Sequence, residues 1–135
     1  MIVLDTHAWI WVVAGDRTLS GEARSAIETA AAAGAVLVPA IVVWELAMLE
    51  ARGRITLARP CREWVDDALA APGFALAPLS PDVAVESVRL PQPFHDDPAD
   101  RLIVATARVA GAALVTRDRR ILDYGARGHL RVIRA

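Results

Sequence analysis

Short, wholly apolar runs alternate with helix-length segments along this chain, and that alternation leaves few folds open. Ile2-Val3-Leu4 and residues 35–38, 74–79, 112–116 and 130–133 have the length and composition of strands. Between them the spacing predicts helices over 8–14, 20–33, 41–52, 60–71 and 81–89, and one from Asp97-Pro98-Ala99-Asp100 to a stop at Gly111. Ser20 and Ser80 are placed to cap two of these helices, and Gly34, Gly53 and Pro72-Gly73 to end three. Residues 117–129 receive no element. Continuous apolar strands joined by helical crossovers pair in parallel and need cover on both faces. The expectation is a three-layer α/β/α domain over 1–135 with a mainly parallel central sheet of about five strands.

Composition then removes whole classes of chemistry. All 15 basic residues are arginine, so phosphate loops, Schiff bases and phosphotransfer switches that need a lysine are excluded. Cys61 is the only cysteine, which excludes a disulfide framework and cysteine-based zinc sites. No uncharged apolar run reaches the roughly 18 to 20 residues of a membrane span, and the start MIVLD lacks a basic leader. A cytoplasmic protein is expected, with no membrane partner. The net charge of −1 is uneven: six arginines and two acids over 117–135 leave that end basic, which suits a polyanionic partner.

Four acids stand where a parallel sheet binds ligands, beyond the carboxyl ends of its strands. Asp5 follows the first strand and Asp118 the fourth. Glu45 lies in the helix after the second strand, among Ile41, Val42, Met48 and Leu49. Burying it alone costs several kcal/mol, and without lysine an arginine or a metal ion must answer its charge. Asp100 heads the stripe Ile103, Val104, Ala107 and so faces inward, while also suiting an ordinary helix first turn behind the cap Asp97. Four carboxylates within about 5 Å repel by roughly 3 kcal/mol per pair at an effective dielectric near 20. Oxygen-only donors favour Mg²⁺ or Mn²⁺, ions that commonly meet phosphate.

The segments LDTHAWIW (4–11), VVWELAMLEARGRI (42–55), HDDPADRLIVATA (95–107) and LVTRDRRIL (114–122) resemble the four signatures of PIN domains. The similarity is greatest to the VapC-type toxin ribonucleases of prokaryotic toxin–antitoxin pairs. It implies an endoribonuclease whose catalytic and metal-binding acids are Asp5, Glu45, Asp100 and Asp118. The first, third and fourth would hold one or two ions, while Glu45 completes the shell or orients the attacking water. Thr6, Asp97 and Thr116 would support them. Water as nucleophile leaves a 5′-phosphate and a 3′-hydroxyl; a pair formed by His7 and His95 would instead give a cyclic phosphate, and His7 is expected only to pack or bond beside Asp5.

Arg101, Arg117, Arg119 and Arg120 are candidates for RNA phosphates or for the cognate VapB-like antitoxin. Of the four tryptophans, Trp44 is expected in the core or an interface, and the Trp9/Trp11 helix at an antitoxin or homodimer contact. Two departures stand out. Val42 occupies a place where relatives often carry a serine that steadies the glutamate, which keeps open a catalytically silent RNA- or protein-binding scaffold. Asp96 adds an acid beside the third signature and is expected to be solvated. Phosphatases that use an aspartate after strand one need a second acid where His7 stands, and a lysine as well.

Overall fold

The computed structural model describes residues 1–135. Five strands, β1 (Ile2–Leu4), β2 (Val36–Pro39), β3 (Phe74–Ala77), β4 (Ala113–Thr116) and β5 (Val132–Arg134), pair in parallel throughout, in the order β3-β2-β1-β4-β5. Central β1 is buried from end to end, as its unbroken apolar run requires; the edge strand β3 exposes Ala75 and Leu76.

Seven helices cover the sheet: α1 (Thr6–Ala14), α2 (Gly21–Ala32), α3 (Ala40–Ala51), α4 (Cys61–Leu69), α5 (Pro81–Val88), α6 (Pro98–Ala110) and α7 (Arg119–Ala126). Helix α6 lies on β1 and β4 with α3 and α5 against it, whereas α2 reaches β2 and β5. The three-layer expectation holds. Ser20 and Ser80 cap α2 and α5 by accepting from the amides of Ala23 and Val83.

Three details differ from expectation. Helix α7 occupies part of the stretch that received no element: only Ile121 and Tyr124 of it are buried, too short an apolar signal beside Arg119, Arg120 and Asp123. Strand β5 begins two residues later and ends on Arg134, because Leu130 is buried in the preceding loop and an edge strand tolerates a terminal charge. Trp44 is 55% exposed, which removes the core alternative and leaves the interface one; its helical neighbours Val42 and Leu46 point inward and are fully buried.

The sheet order also fixes where a ligand can sit. From β1 the chain builds outward through β2 to β3, then crosses back over to place β4 on the other side of β1. Helices therefore diverge above the carboxyl ends of β1 and β4 and leave a crevice there.

Candidate active site

Asp5 and Asp118 leave β1 and β4 at this crevice, and each caps the helix that follows. Asp5 accepts from the Thr6 amide at 2.7 Å, and Asp118 from the Ile121 amide at 3.1 Å. The amide of Asp5 bonds the Val115 carbonyl at 3.0 Å, fixing the first acid to the neighbouring strand. Asp97 caps α6 through the Asp100 amide at 3.1 Å, and Asp100 then faces inward from the first turn. Three helix N-termini thus surround the acids, and their partial positive ends favour negative charge here.

A cavity of about 440 Å³ is lined by Asp5, Glu45, Asp100 and Asp118, the four sequence candidates, together with His7, Ala8, Trp11, Leu49 and Arg117. Two threonines hold its acids. The Thr116 hydroxyl donates to Asp5 Oδ2 at 2.6 Å and accepts from the Asp118 amide at 3.0 Å, so one buried side chain ties together the acids of two strands. The hydroxyl of Thr6, also buried, donates to Glu45 Oε1. That bond orients Glu45 even though Val42 offers none, and no arginine pairs with this half-buried carboxylate.

Burial pushes the Asp5 carboxyl above the ordinary carboxylate range, the charge of Asp118 adding to the rise and the Thr116 and Thr6 bonds opposing it. Burial likewise raises Glu45, with Asp5 and Asp97 contributing. Asp100 is pushed up to about 6, first by desolvation and then by the charges of Asp97, Asp118 and Asp5, against a hydrogen bond from His95. None of the four acids is paired with an arginine: the only ion pair among them joins Asp100 to His95 at 2.7 Å. Unanswered charge on an all-oxygen donor set suits a hard divalent cation. The acids face a shared space and do not form a ready-made shell, since no three acidic or histidine side chains are gathered closely enough to hold an ion.

The basic candidates separate. Arg117 reaches the cavity rim, but its guanidinium is held away from the acids: Nε donates to the Ala135 carbonyl at 2.9 Å, Nη2 to the Thr18 carbonyl at 2.6 Å, and the group lies 4.7 Å from the Trp11 ring. Arg101 is outside the cavity, bonded to the Ser87 carbonyl and set over the Phe94 ring. Arg119 and Arg120 are exposed beyond the rim, Arg119 facing Asp123 at 3.8 Å. Asp96 is exposed.

Two aromatic expectations change. Trp9 is fully buried and meets Trp64 edge-on at 5.0 Å, so it belongs to the core and to no contact surface; Trp11 lines the cavity. His7 is exposed on the rim and tilted 5.7 Å from Trp11, with no hydrogen bond to Asp5. His95, set aside as a catalytic base, proves to be the partner of Asp100. The irregular segment PQPFHDDP carries no periodicity that could place its side chain.

Removing the Thr116 hydroxyl tests the tie between strands. Thr116→Val keeps shape and burial, yet leaves an oxygen of Asp5 and the Asp118 amide without their shared partner. The apparent affinity for Mn²⁺, read as the ion concentration that raises the melting temperature half-maximally, is expected to fall about 10- to 100-fold. Unchanged affinity would mean that the tie does not position these acids.

Comparison with known proteins agrees with this architecture. The PIN domain family model matches residues 2–126. Ribonuclease VapC22 of Mycobacterium tuberculosis is 42% identical over 123 residues, 91% of each chain. Among solved structures, VapBC2 from Rickettsia felis bound to a promoter DNA fragment superposes with a TM-score of 0.69 at 16% identity, over 98% of both chains. FitAcB from Neisseria gonorrhoeae gives 0.67 at 21% identity, over 99% of this chain and 97% of that one. At such identities the structures speak to the fold alone; the sequence matches establish descent. The chain belongs to the PIN domain family and, within it, to the VapC type.

Proposed function

We propose that this chain, acting as one PIN unit over residues 1–135, is the toxin of a VapBC-like pair and an endoribonuclease that uses water as its nucleophile. The observation that carries the reading is a single cavity at the switch point of the sheet, lined by four carboxylates with no arginine paired to any of them. Asp5, Asp100 and Asp118 would hold Mg²⁺ or Mn²⁺, with Glu45 completing the set. A divalent ion bound there supplies Lewis acidity, making water more acidic and offsetting negative charge on the phosphate.

The chain's own groups do the rest. Thr6 and Thr116 fix Asp5 through both its oxygens, so the acid enters each cycle already oriented. Glu45, raised by burial and steered by Thr6, is the acceptor for the proton of the attacking water. The water oxygen bonds to phosphorus, and the bond from phosphorus to the 3′ oxygen breaks with its electron pair leaving on that oxygen. A proton from solvent completes the 3′-hydroxyl while Glu45 returns its proton to solvent, so that the products carry a 5′-phosphate and a 3′-hydroxyl. Arg119 and Arg120, exposed next to Asp118, are placed for flanking phosphates.

A VapB-like antitoxin is the protein partner in this reading. Its place is an apolar groove of about 610 Å³ between α1 and α4, where Ile10, Val12 and Val13 face Leu57, Trp64 and Phe74. An arginine of the antitoxin reaching the acids would silence the cavity. Exposed Trp44 offers surface for a homodimer. No helix is long and apolar enough to cross a membrane, and we place the activity in the cytoplasm.

Incubating antitoxin-free protein with total prokaryotic RNA and Mg²⁺ or Mn²⁺, then mapping the new ends, tests the chemistry. Cuts bearing 5′-phosphates and stopped by EDTA are expected. Cyclic phosphates, or cutting that survives EDTA, would overturn the mechanism. A chain that cuts nothing with either ion would revive the silent scaffold.

A further inference from the structure

Three of the four cavity acids are anchored by threonines at the strand ends. The Thr6 amide and the Thr116 hydroxyl hold Asp5, the Thr6 hydroxyl holds Glu45, and Thr116 accepts from the Asp118 amide. Asp100 receives nothing from that side. Its one side-chain hydrogen bond joins Oδ2 to His95 Nε2 at 2.7 Å, and no group of the chain bonds Oδ1. An ionised carboxylate can only accept, so Nε2 carries the proton. His95 is absent from the cavity lining that Asp100 joins, and its ring reaches the carboxylate from outside.

The bond matters because of where Asp100 stands. With Asp97 capping α6, Asp100 is the third helical residue, the position from which an acid ordinarily reaches back to the cap's own amide. Nothing in the chain bonds the Asp97 amide, so that competing arrangement lies open. A carboxylate spent on its own helix end is lost to the cavity.

His95 itself stands in an irregular segment with no ladder to fix it, and α7 supplies the fixing. The buried Tyr124 donates its hydroxyl to the Pro91 carbonyl at 2.8 Å, and Arg127 Nη2 donates to the Pro93 carbonyl at 2.9 Å. Phe94 packs 4.5 Å from the Tyr124 ring and 4.3 Å from the His95 ring, with the Arg101 guanidinium 5.9 Å from its centre. Asp118 caps this same helix. One short helix thus carries Asp118 at its start and, further along, the clamps that place His95 against Asp100.

We propose that His95 is a positioning residue, which draws Asp100 away from capping α6 and holds it toward the cation site from a strap, residues 91–94, clamped by Tyr124 and Arg127. The proposal rests on the ribonuclease reading and adds to it the device that aims the fourth acid. His95 takes no part in proton transfer.

The first readout needs no ion. In EDTA, three-bond couplings to the Cβ protons of Asp100 report whether its side chain keeps one rotamer or averages over several. Wild type and His95→Gln, whose amide N–H lies the same number of bonds from Cβ, are expected to keep one. His95→Phe, which retains a ring against Phe94 and loses the donor, is expected to average. The second readout is Mn²⁺ affinity, from the electron paramagnetic resonance signal of the free ion. His95→Phe should weaken it about 10- to 100-fold, and His95→Gln should restore most of the loss. Arg127→Ala, at an exposed position, should weaken it about 2- to 10-fold and add nothing in the His95→Phe background. An Asp100 rotamer as fixed in His95→Phe as in wild type, a glutamine no better than phenylalanine, or full additivity with Arg127→Ala would overturn the proposal. Should His95→Phe not fold, Arg127→Ala decides alone, a single fixed rotamer there being the contrary result. The two readings fail separately. Wild type that fixes Asp100 through His95 yet takes no Mn²⁺ defeats the hydrolysis and spares the positioning; protein that binds Mn²⁺ and cuts RNA regardless of His95 does the reverse.

Discussion

Asp5→Asn is expected to lower the rate of RNA hydrolysis about 100- to 1,000-fold without harming the fold. The amide oxygen still accepts from the Thr6 amide, so the cap of α1 survives. The amide nitrogen can donate to the Thr116 hydroxyl, reversing the direction of the existing bond while keeping both partners in place. What is lost is the negative charge that a hard cation needs. Because burial already pushes this carboxyl upward, its neutral replacement relieves a cost, and the variant should melt no lower than metal-free wild type. Cleavage of total RNA read beside a melting curve checks both halves. Activity within tenfold of wild type would remove Asp5 from the ion site, and a melt many degrees lower would show that the charge is structural.

Asp100→Asn should abolish cleavage to a similar degree and, in EDTA, stabilise the protein at neutral pH. A carboxyl pushed up to about 6 takes up its proton more readily in the folded chain than in the unfolded one. Its contribution to stability is full below the ordinary value of 3.8 and is lost as the pH rises through about 6. Above that the folded protein carries a costly charge which asparagine removes. The stability difference between variant and wild type should therefore be small below about pH 4, grow between pH 4 and 6, and level off at about 3 kcal/mol. Urea unfolding across that range measures it. Added Mn²⁺ should reverse the order by stabilising wild type and not the variant. A difference independent of pH would contradict the charge-cluster origin.

The four acids were legible because each is tied to a regular pattern: Asp5 and Asp118 end apolar runs, while Glu45 and Asp100 carry the register of amphipathic helices. Periodicity reports such positions directly. Connections that cross the chain without regular spacing were not legible. The His95–Asp100 bond spans an irregular segment, and the Thr6–Glu45 bond joins residues 39 apart. Helix α7 escaped notice because an eight-residue helix with two buried residues barely departs from a polar loop. Trp9 and Trp11 look alike as an apolar pair on a short helix. Two residues of helix turn them about 200° apart, sending one into the core and the other to the rim. Family resemblance carried the function further than periodicity alone, which reaches only a metal-dependent phosphoryl site.

The double employment of Asp5 and Asp118, as helix caps and as cavity acids, bears on how such a nuclease can be disarmed over evolutionary time. Asparagine and serine cap helices about as well as aspartate, and a single-base change in an aspartate codon is enough to install asparagine. A neutral replacement at these positions therefore carries almost no folding penalty, and a descendant that bears it keeps its sheet and its groove. Lineages that no longer need a toxin can retain the scaffold intact, one codon away from the working enzyme.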